Sequence, residues 1–291
     1  MRVSRLGIFL IILTTVIIGT NCSYYNQILA RKNLVDGANA YKGRKFEEAE
    51  RLFREAVSRD PEGKTTEGRA AQLFLARTIH SRFIGNRIDK ARADEAIKEY
   101  QRALQVDPKD QSSFKAVANL YENLGRDEEA LQWVTARANN EQIPPEQRSE
   151  ALTSLAAKKN NCANEISDTE ATKKTVTKDG KQIFEFVKPA DEAEFQKLKQ
   201  CSAEGLDLAR KAVELDQNSD SSWSYLASLL IQNMRVAEME GNKDAAVKFK
   251  SESDVAKEKF TVLAEARRKK EQEEADKKKA ETEAAAANKK K

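Results

Sequence analysis

The chain has 291 residues, of which 40% are hydrophobic and 34% charged, so it can bury a core without being embedded in a membrane along its length. Its 51 basic and 47 acidic side chains nearly cancel, which argues against nucleic acid as a partner. Glycine and proline are scarce, at 11 and 5 copies, while alanine, glutamate, lysine and leucine are abundant. We therefore expect an all-α fold of helices packed on helices and not a sandwich or barrel.

Residues 1–25 predict a signal peptide or membrane anchor. Arg2 and Arg5 precede an apolar run from Leu6 to Gly19, which is the order of the positive and apolar regions of a signal peptide. Cys22 follows this run closely. The segment resembles the signal of bacterial lipoproteins, and this resemblance implies that Cys22 carries a lipid.

A second interpretation keeps the N-terminal segment as an uncleaved anchor. Gly19 and Asn21 occupy positions where lipoprotein signals carry a leucine-like and a small residue. The stretch from Leu6 through Tyr25 is long enough to span a bilayer, with Tyr24 and Tyr25 at the interface. Both interpretations place the rest of the chain in the cell envelope, on the periplasmic side of the inner membrane and tethered to a membrane.

A helix-turn-helix pattern repeats along the body of the chain. A small residue, an aromatic residue, a second small residue and a proline follow one another at steps of four, three and five. The first three lie on one face of a helix, and the proline ends that helix. Two copies are Ala49, Phe53, Ala56 and Pro61, and then Ala96, Tyr100, Ala103 and Pro108.

The pattern restarts at Ala130, 34 residues after Ala96. This period and pattern resemble the tetratricopeptide repeat, or TPR. A further copy begins at Gly205, and a last one contains Ala245 and Phe249. The resemblance implies a TPR-like α-solenoid of about five helical hairpins over residues 30–266, in a family whose members bind protein or peptide partners.

Two insertions interrupt the repeat. Ala49 and Ala96 are 47 residues apart, about 13 more than one period, so we expect a longer loop near Gly85 to Ala93. Residues 162–191 lose helical periodicity and alternate polar and apolar residues around Asp179 and Gly180. This alternation predicts a small β-hairpin that projects from the helices.

Cys162 and Cys201 flank the predicted β-hairpin. Because the chain is expected to be exported into an oxidising compartment, we predict that these two cysteines form a disulfide. The alternative is a pair of buried free thiols. The single histidine and the absence of a CxxC motif argue against a metal site, and we predict no cofactor.

The TPR resemblance also implies a concave groove lined by the first helix of each hairpin. Lys115 and Asn119 match positions that bind a carboxylate in members of this family, and Arg77 and His80 lie on the preceding first helix. We expect these four residues to form a partner-binding groove for an acidic or carboxyl-terminated peptide. Ala38 stands where the first hairpin of such a clamp would carry an asparagine. The alternative is a charged face in contact with solvent alone.

Residues 267–291 form a low-complexity tail of alternating charge, which predicts a charged helix that frays or becomes disordered towards Lys291. It either contacts solvent only or touches an anionic surface.

The sequence as a whole predicts a non-enzymatic scaffold that binds a partner protein or peptide and is attached to a membrane through its N-terminus. An alternative is a structural component of a secretion or pilus-type assembly. An enzyme with its site in residues 162–191 has little support, because no nucleophile-elbow or phosphate-binding motif is present.

Overall fold

The computed structural model describes residues 5–178 and 180–288, and side chains over residues 24–178 and 180–283. These residues form ten helices and two strands in this order: α1 (Arg5–Lys42), α2 (Phe46–Arg59), α3 (Thr66–Gly85), α4 (Lys90–Val106), α5 (Gln111–Asn123), α6 (Asp127–Asn139), α7 (Pro145–Ser167), β1 (Lys173–Lys178), β2 (Lys181–Phe186), α8 (Glu192–Leu215), α9 (Asp220–Met239) and α10 (Lys243–Asn288). They belong to two compact units, unit 1 from Met1 to Ala130 and unit 2 from Leu131 to Lys291.

Local sequence signals fix where several helices begin and end. Thr65 caps α3 by accepting a hydrogen bond from the Gly68 amide at 3.0 Å, and Ser219 caps α9 in the same way. Such caps satisfy amide groups that have no partner within the helix. Gly125 ends the turn after α5 with a φ of 68°, a conformation that glycine adopts without steric cost.

In unit 1, α1 packs on α2 and α3 packs on α4. The repeat positions form the core: Ala49, Phe53 and Ala56 of α2 are fully buried, and their counterparts in α4 are buried as well. Phe53 fills the space above Gly37 of α1, where an added Cβ would lie 2.7 Å from the ring. Burying one such aromatic side chain contributes on the order of 2–3 kcal/mol.

In unit 2, α7 packs on α8, α9 packs on α10, and α7 also contacts α9. Gly205 of α8 lets the neighbouring helices approach, because an added Cβ would lie 2.5 Å from Leu229 Cδ2 and 2.9 Å from Lys159 Cβ. The main core cluster of this unit consists of Ala156, Leu206, Ala209, Val213, Leu226, Leu229, Leu230 and Ala256. In α10, Ala246, Ala256 and Ala264 are buried, while the predicted Ala245, one residue before Ala246, is only half-buried.

The inserted residues between α7 and α8 contain an antiparallel hairpin in which Lys173 pairs with Phe186 and Lys178 pairs with Lys181. A disulfide joins Cys162 of α7 to Cys201 of α8, with their Cα atoms 6.1 Å apart. The all-α fold class predicted from the repeat, TPR-type helical hairpins with a small inserted β-hairpin, is confirmed.

The prediction of a longer loop near Gly85 to Ala93 is wrong. Only residues 86–89 separate α3 from α4, and the extra residues instead lengthen these two helices to 20 and 17 residues. The extension is favourable because it buries Phe83 at the end of α3 and Ala93 at the start of α4.

The predicted lipidation site, Cys22, lies outside the residues whose side chains are described, as does most of the segment 1–25. Over the described part of the chain, no helix combines the length and apolar content that crossing a bilayer requires. The C-terminal tail continues α10 as far as Asn288. Ion pairs between side chains one helical turn apart stabilise this helix, such as Arg267 with Glu271 at 2.9 Å.

Gly205 provides a direct test of close helix packing. We expect Gly205→Ala to lower the free energy of unfolding by about 1–3 kcal/mol, because the new methyl group overlaps Leu229. Gly85→Ala is the matched control, since an added Cβ there meets nothing within 4 Å, and it should leave stability unchanged or slightly raised. Urea denaturation of both variants measures the difference, and equal stabilities would contradict this account of the α8 contact.

Candidate partner-binding face

Three first helices of unit 1 present their partly exposed sides next to one another. The Tyr41 hydroxyl of α1 lies 2.9 Å from the Ser81 hydroxyl of α3, and Arg77 of α3 donates a hydrogen bond to Ser112 of α5. We call this side the first-helix face. It comprises Tyr41, Phe74, Arg77, His80, Ser81, Ser112, Lys115 and Asn119.

Arg77 is held in place at the junction of α3 and α5. Its Nη2 donates to Ser112 Oγ at 3.0 Å, and its guanidinium carbon lies 5.6 Å from the centre of the Phe74 ring. The planar guanidinium retains further N–H groups beyond the one that Ser112 accepts. Arg77 is therefore held in one orientation by contacts within unit 1.

Lys115 and Asn119 continue the face along α5. Both are exposed, and with Ser112 they follow steps of three and four residues, which place them on one side of the helix. Arg77 therefore lies at the first turn of a stripe formed by Ser112, Lys115 and Asn119. In α1, the half-buried Ala38 offers no side-chain hydrogen bond to a ligand, and Tyr41, one turn later, supplies the hydroxyl that α1 contributes.

His80 is turned towards α4. Its Nδ1 lies 3.2 Å from the Tyr100 hydroxyl, and the two rings meet edge to face with their centres 5.8 Å apart. Burial lowers the pKa of His80 below its usual value of 6.5, and burial also raises the pKa of Tyr100. Both groups are therefore neutral at neutral pH, and the charge of the face comes from Arg77 and Lys115.

An acidic group lies at the start of α5. Burial would raise the pKa of Asp110, but hydrogen bonds from Ser113 and Ser112 to its carboxylate outweigh burial and hold the pKa below its usual value. Asp110 caps the helix through the Ser112 and Ser113 amides. The negative charge of Asp110 therefore stabilises the start of α5 and reduces the positive potential of the face.

A partly buried ion cluster centred on Glu50 lies between α2, α3 and α4 and contains a second set of groups with shifted pKa values. Glu50 pairs with Arg54 at 2.8 Å and with Arg82 at 2.5 Å, and Arg92 lies 3.6 Å away. Burial would raise the pKa of Glu50, and the hydrogen bonds from Arg54 and Arg82 lower it overall. The three arginines also pair with further carboxylates, so the cluster holds the hairpins together and needs no ligand to explain it.

The sequence predicted Arg77, His80, Lys115 and Asn119 as members of this face but did not indicate Tyr41, Phe74, Ser81 and Ser112. Helical spacing contained a signal for two of these, since Phe74 lies three residues before Arg77 and Ser112 three before Lys115. The contact between Tyr41 and Ser81 joins residues 40 apart, and no local pattern predicts it. Across the described residues, no group of three or more histidine, cysteine, aspartate or glutamate side chains is arranged to hold a metal ion.

A family model described as "Bacterial transcriptional activator domain" matches residues 26–138, and that domain is itself TPR-like. Among solved structures, the chain is similar to PilF of Pseudomonas aeruginosa, with 15% identity over 77% of this chain and 90% of that chain and a TM-score of 0.37. It is also similar to YrrB, described as a TPR protein with an unusual peptide-binding site, with 11% identity over 86% and 97% and a TM-score of 0.39. MamA of Desulfovibrio magneticus RS-1 shares 12% identity over 83% and 96%, with a TM-score of 0.34. No curated protein matches the sequence.

The environment of His80 predicts a pH dependence of stability. Because the folded-state pKa lies below that of the unfolded chain, the unfolded state binds more protons as the pH falls through about 6.5, and stability is lost below that pH. We expect the free energy of unfolding to fall between pH 7.5 and pH 5.5, by at most about 1.4 kcal/mol per pH unit. His80 is the only histidine, so His80→Gln should remove this dependence. The same slope in both proteins, measured by urea denaturation, would assign it to another group.

Proposed function

We propose that this chain is a non-enzymatic protein-interaction scaffold that binds an extended peptide or a helix of a partner protein on the first-helix face. The observation that carries the proposal is the arrangement around Arg77, which Ser112 and Phe74 hold at the first turn of the exposed Lys115 and Asn119 stripe. A pre-oriented cation next to exposed amide and ammonium groups suits a ligand with a carboxylate and a main chain to hydrogen-bond.

Apolar contacts would supply much of the affinity. Phe74 is half-buried, and Ile84, near the end of the same helix, is 54% exposed. A partner that covers these side chains removes apolar area from water, while Arg77 and Lys115 select an acidic partner and fix its orientation. Binding should therefore weaken as salt screens the charges.

The perturbed ionisable groups of unit 1 support a binding role over a catalytic one. His80 is neutral and faces Tyr100, and Glu50 is paired with arginines on two helices. Each of these groups already serves to join helices. Their environments account for their pKa shifts without a reacting substrate.

We further propose that the chain is exported and stays attached to a membrane, either through lipid on Cys22 or through an uncleaved anchor in residues 1–25. The apolar run behind two arginines supports this, and so does the disulfide between Cys162 and Cys201. Structural disulfides persist in oxidising compartments such as the bacterial periplasm. The partner would then be met in the cell envelope.

A structural role in an envelope assembly of the secretion or pilus type is the second candidate. It is favoured by one side of α10, where Val247, Val255 and Val262 are 70%, 55% and 59% exposed. Their spacing of eight and seven residues places them within one sector of the helix. A neighbouring subunit that covered this sector would use α10 and leave the first-helix face unoccupied.

Site-specific cross-linking separates these two candidates. A photoreactive residue is placed at Asn119 on the first-helix face, at Val255 on α10, or at Lys98 on the exposed side of α4 as the control. We expect one discrete product from position 119 in the native host and none from position 98. A product from position 255 alone would instead favour the assembly role.

Charge reversal then tests the proposed chemistry of the face. Arg77→Glu with Lys115→Glu should abolish the product formed from position 119, since a charge-assisted hydrogen bond contributes about 1.5–3 kcal/mol. Lys90→Glu with Lys98→Glu makes the same change in net charge on α4 and should leave the product intact. If the two double variants behaved alike, the partner would be responding to overall charge and not to this face.

The proposed location is tested by mass spectrometry of the chain isolated from host membranes, with and without reduction. We expect either an N-terminal peptide that begins at lipidated Cys22 or an uncleaved N-terminus in the membrane fraction. In both cases the peptides of Cys162 and Cys201 should be joined before reduction. Free thiols at both positions in the native host would contradict export.

A further inference from the structure

The β-hairpin of unit 2 has two different faces. Side chains alternate across a strand, so Lys173, Phe184 and Phe186 share one face with Gln182. At the base of the hairpin this inner face contacts the helices, because the Arg235 guanidinium of α9 lies 3.7 Å from the centre of the Phe186 ring. Farther along the same face, Phe184 is 61% exposed. The opposite face, which we call the outer hairpin face, consists of Lys174, Val176, Lys178, Lys181, Ile183 and Glu185.

The outer hairpin face combines the exposed Ile183 and the half-buried Val176 with an excess of positive charge. Ile183 is 41% exposed and pairs across the strands with Val176. Next to this pair, Lys178 and Lys181 stand directly opposite each other. Like charges at directly opposed positions destabilise a sheet. Repulsion between Lys178 and Lys181 therefore destabilises the hairpin when no ligand is bound, and an anionic ligand would relieve that repulsion.

We propose that the outer hairpin face binds the anionic surface of a lipid bilayer. The lysines would lie among the headgroup phosphates, and Val176 and Ile183 would enter the boundary between headgroups and acyl chains. Charge complementarity supports this ligand, since the face carries three lysines against one glutamate. Lysine recognises phosphate as a point charge, so the site requires no fixed ligand geometry.

The size of the face favours a lipid surface over a protein. Six residues per strand extend for about 20 Å and two strands are about 10 Å across, which gives roughly 200 Å². A stable protein complex buries about 800 Å² on each partner. A bilayer has no such requirement, because a small cationic and apolar surface can bind it without burying a minimum area.

The base of the hairpin is held in place. The Val187 amide donates to the Thr172 carbonyl at 2.8 Å, and the Lys188 ammonium lies 4.5 Å from the centre of the Phe195 ring on α8. The disulfide between Cys162 and Cys201 ties together the two helices that enter and leave the insertion. The outer face is thus presented in a defined orientation, which limits the ordering cost of binding.

The inference does not depend on the role of the first-helix face in unit 1. It is tested on the full chain reconstituted in vesicles, so that any attachment by the N-terminus is the same in every sample. Ile183→Trp reports contact through quenching by lipids with brominated acyl chains. The unsubstituted chain, with its two native tryptophans, gives the background. We expect quenching in phosphatidylglycerol vesicles and none above background in phosphatidylcholine vesicles.

Further variants test whether the outer hairpin face and its lysines make the contact with lipid. Lys178→Gln with Lys181→Gln relieves the repulsion between the strands, so the hairpin stays formed, yet quenching of the reporter should fall to the phosphatidylcholine level. Lys197→Gln with Lys211→Gln, at exposed positions of α8, is the matched control and should retain quenching. The proposal is overturned if the hairpin variant is still quenched. It is also overturned if the inner-face reporter Phe184→Trp is quenched as strongly as Ile183→Trp, or if both vesicle types quench equally.

Discussion

Close approach of helices at small residues is the constraint on which this structure depends. Phe53 occupies the space above Gly37, and Leu229 and Lys159 lie where Gly205 has no side chain. At each contact one helix has a residue without a side chain, and a larger side chain of the neighbouring helix fills the space. The contact is thereby packed as densely as a protein interior. The small and aromatic residues recur along the sequence because every pair of helices has to pack closely in the same way.

Packing of this kind decides which surfaces remain for binding. The second helices α2 and α4 bury their alanine and aromatic stripes against their own hairpins, so the sides of α1, α3 and α5 that face away from these contacts carry the partly exposed residues. Arg77 illustrates the outcome: its α3 neighbour Ala76 is fully buried, while the guanidinium reaches Ser112 on the next first helix. The proposed binding face is thus the side of the first helices that the core does not use.

The β-hairpin inserted between α7 and α8 is stabilised in a different way from the helices. A two-stranded hairpin has little core of its own and is marginally stable in isolation. Here the cation above Phe186 and the covalent bond between Cys162 and Cys201 attach it to helices that are stable for other reasons. This attachment allows the outer hairpin face to keep two opposed lysines that an isolated hairpin would tolerate poorly.

The sequence by itself determined the helical repeat, the core alanines and aromatics and the position of the β-hairpin, because helical periodicity and strand alternation are local and short patterns report them. It also suggested Arg77, Lys115 and Asn119, through spacing along single helices. Other contacts follow only from the tertiary structure. They are the contact of His80 with Tyr100, that of Tyr41 with Ser81 and that of Arg235 with Phe186. The tertiary structure also placed the extra residues before Ala96 in helices instead of a loop. These outcomes depend on contacts between residues tens of positions apart, whose free energies come from burial and pairing that no local pattern records.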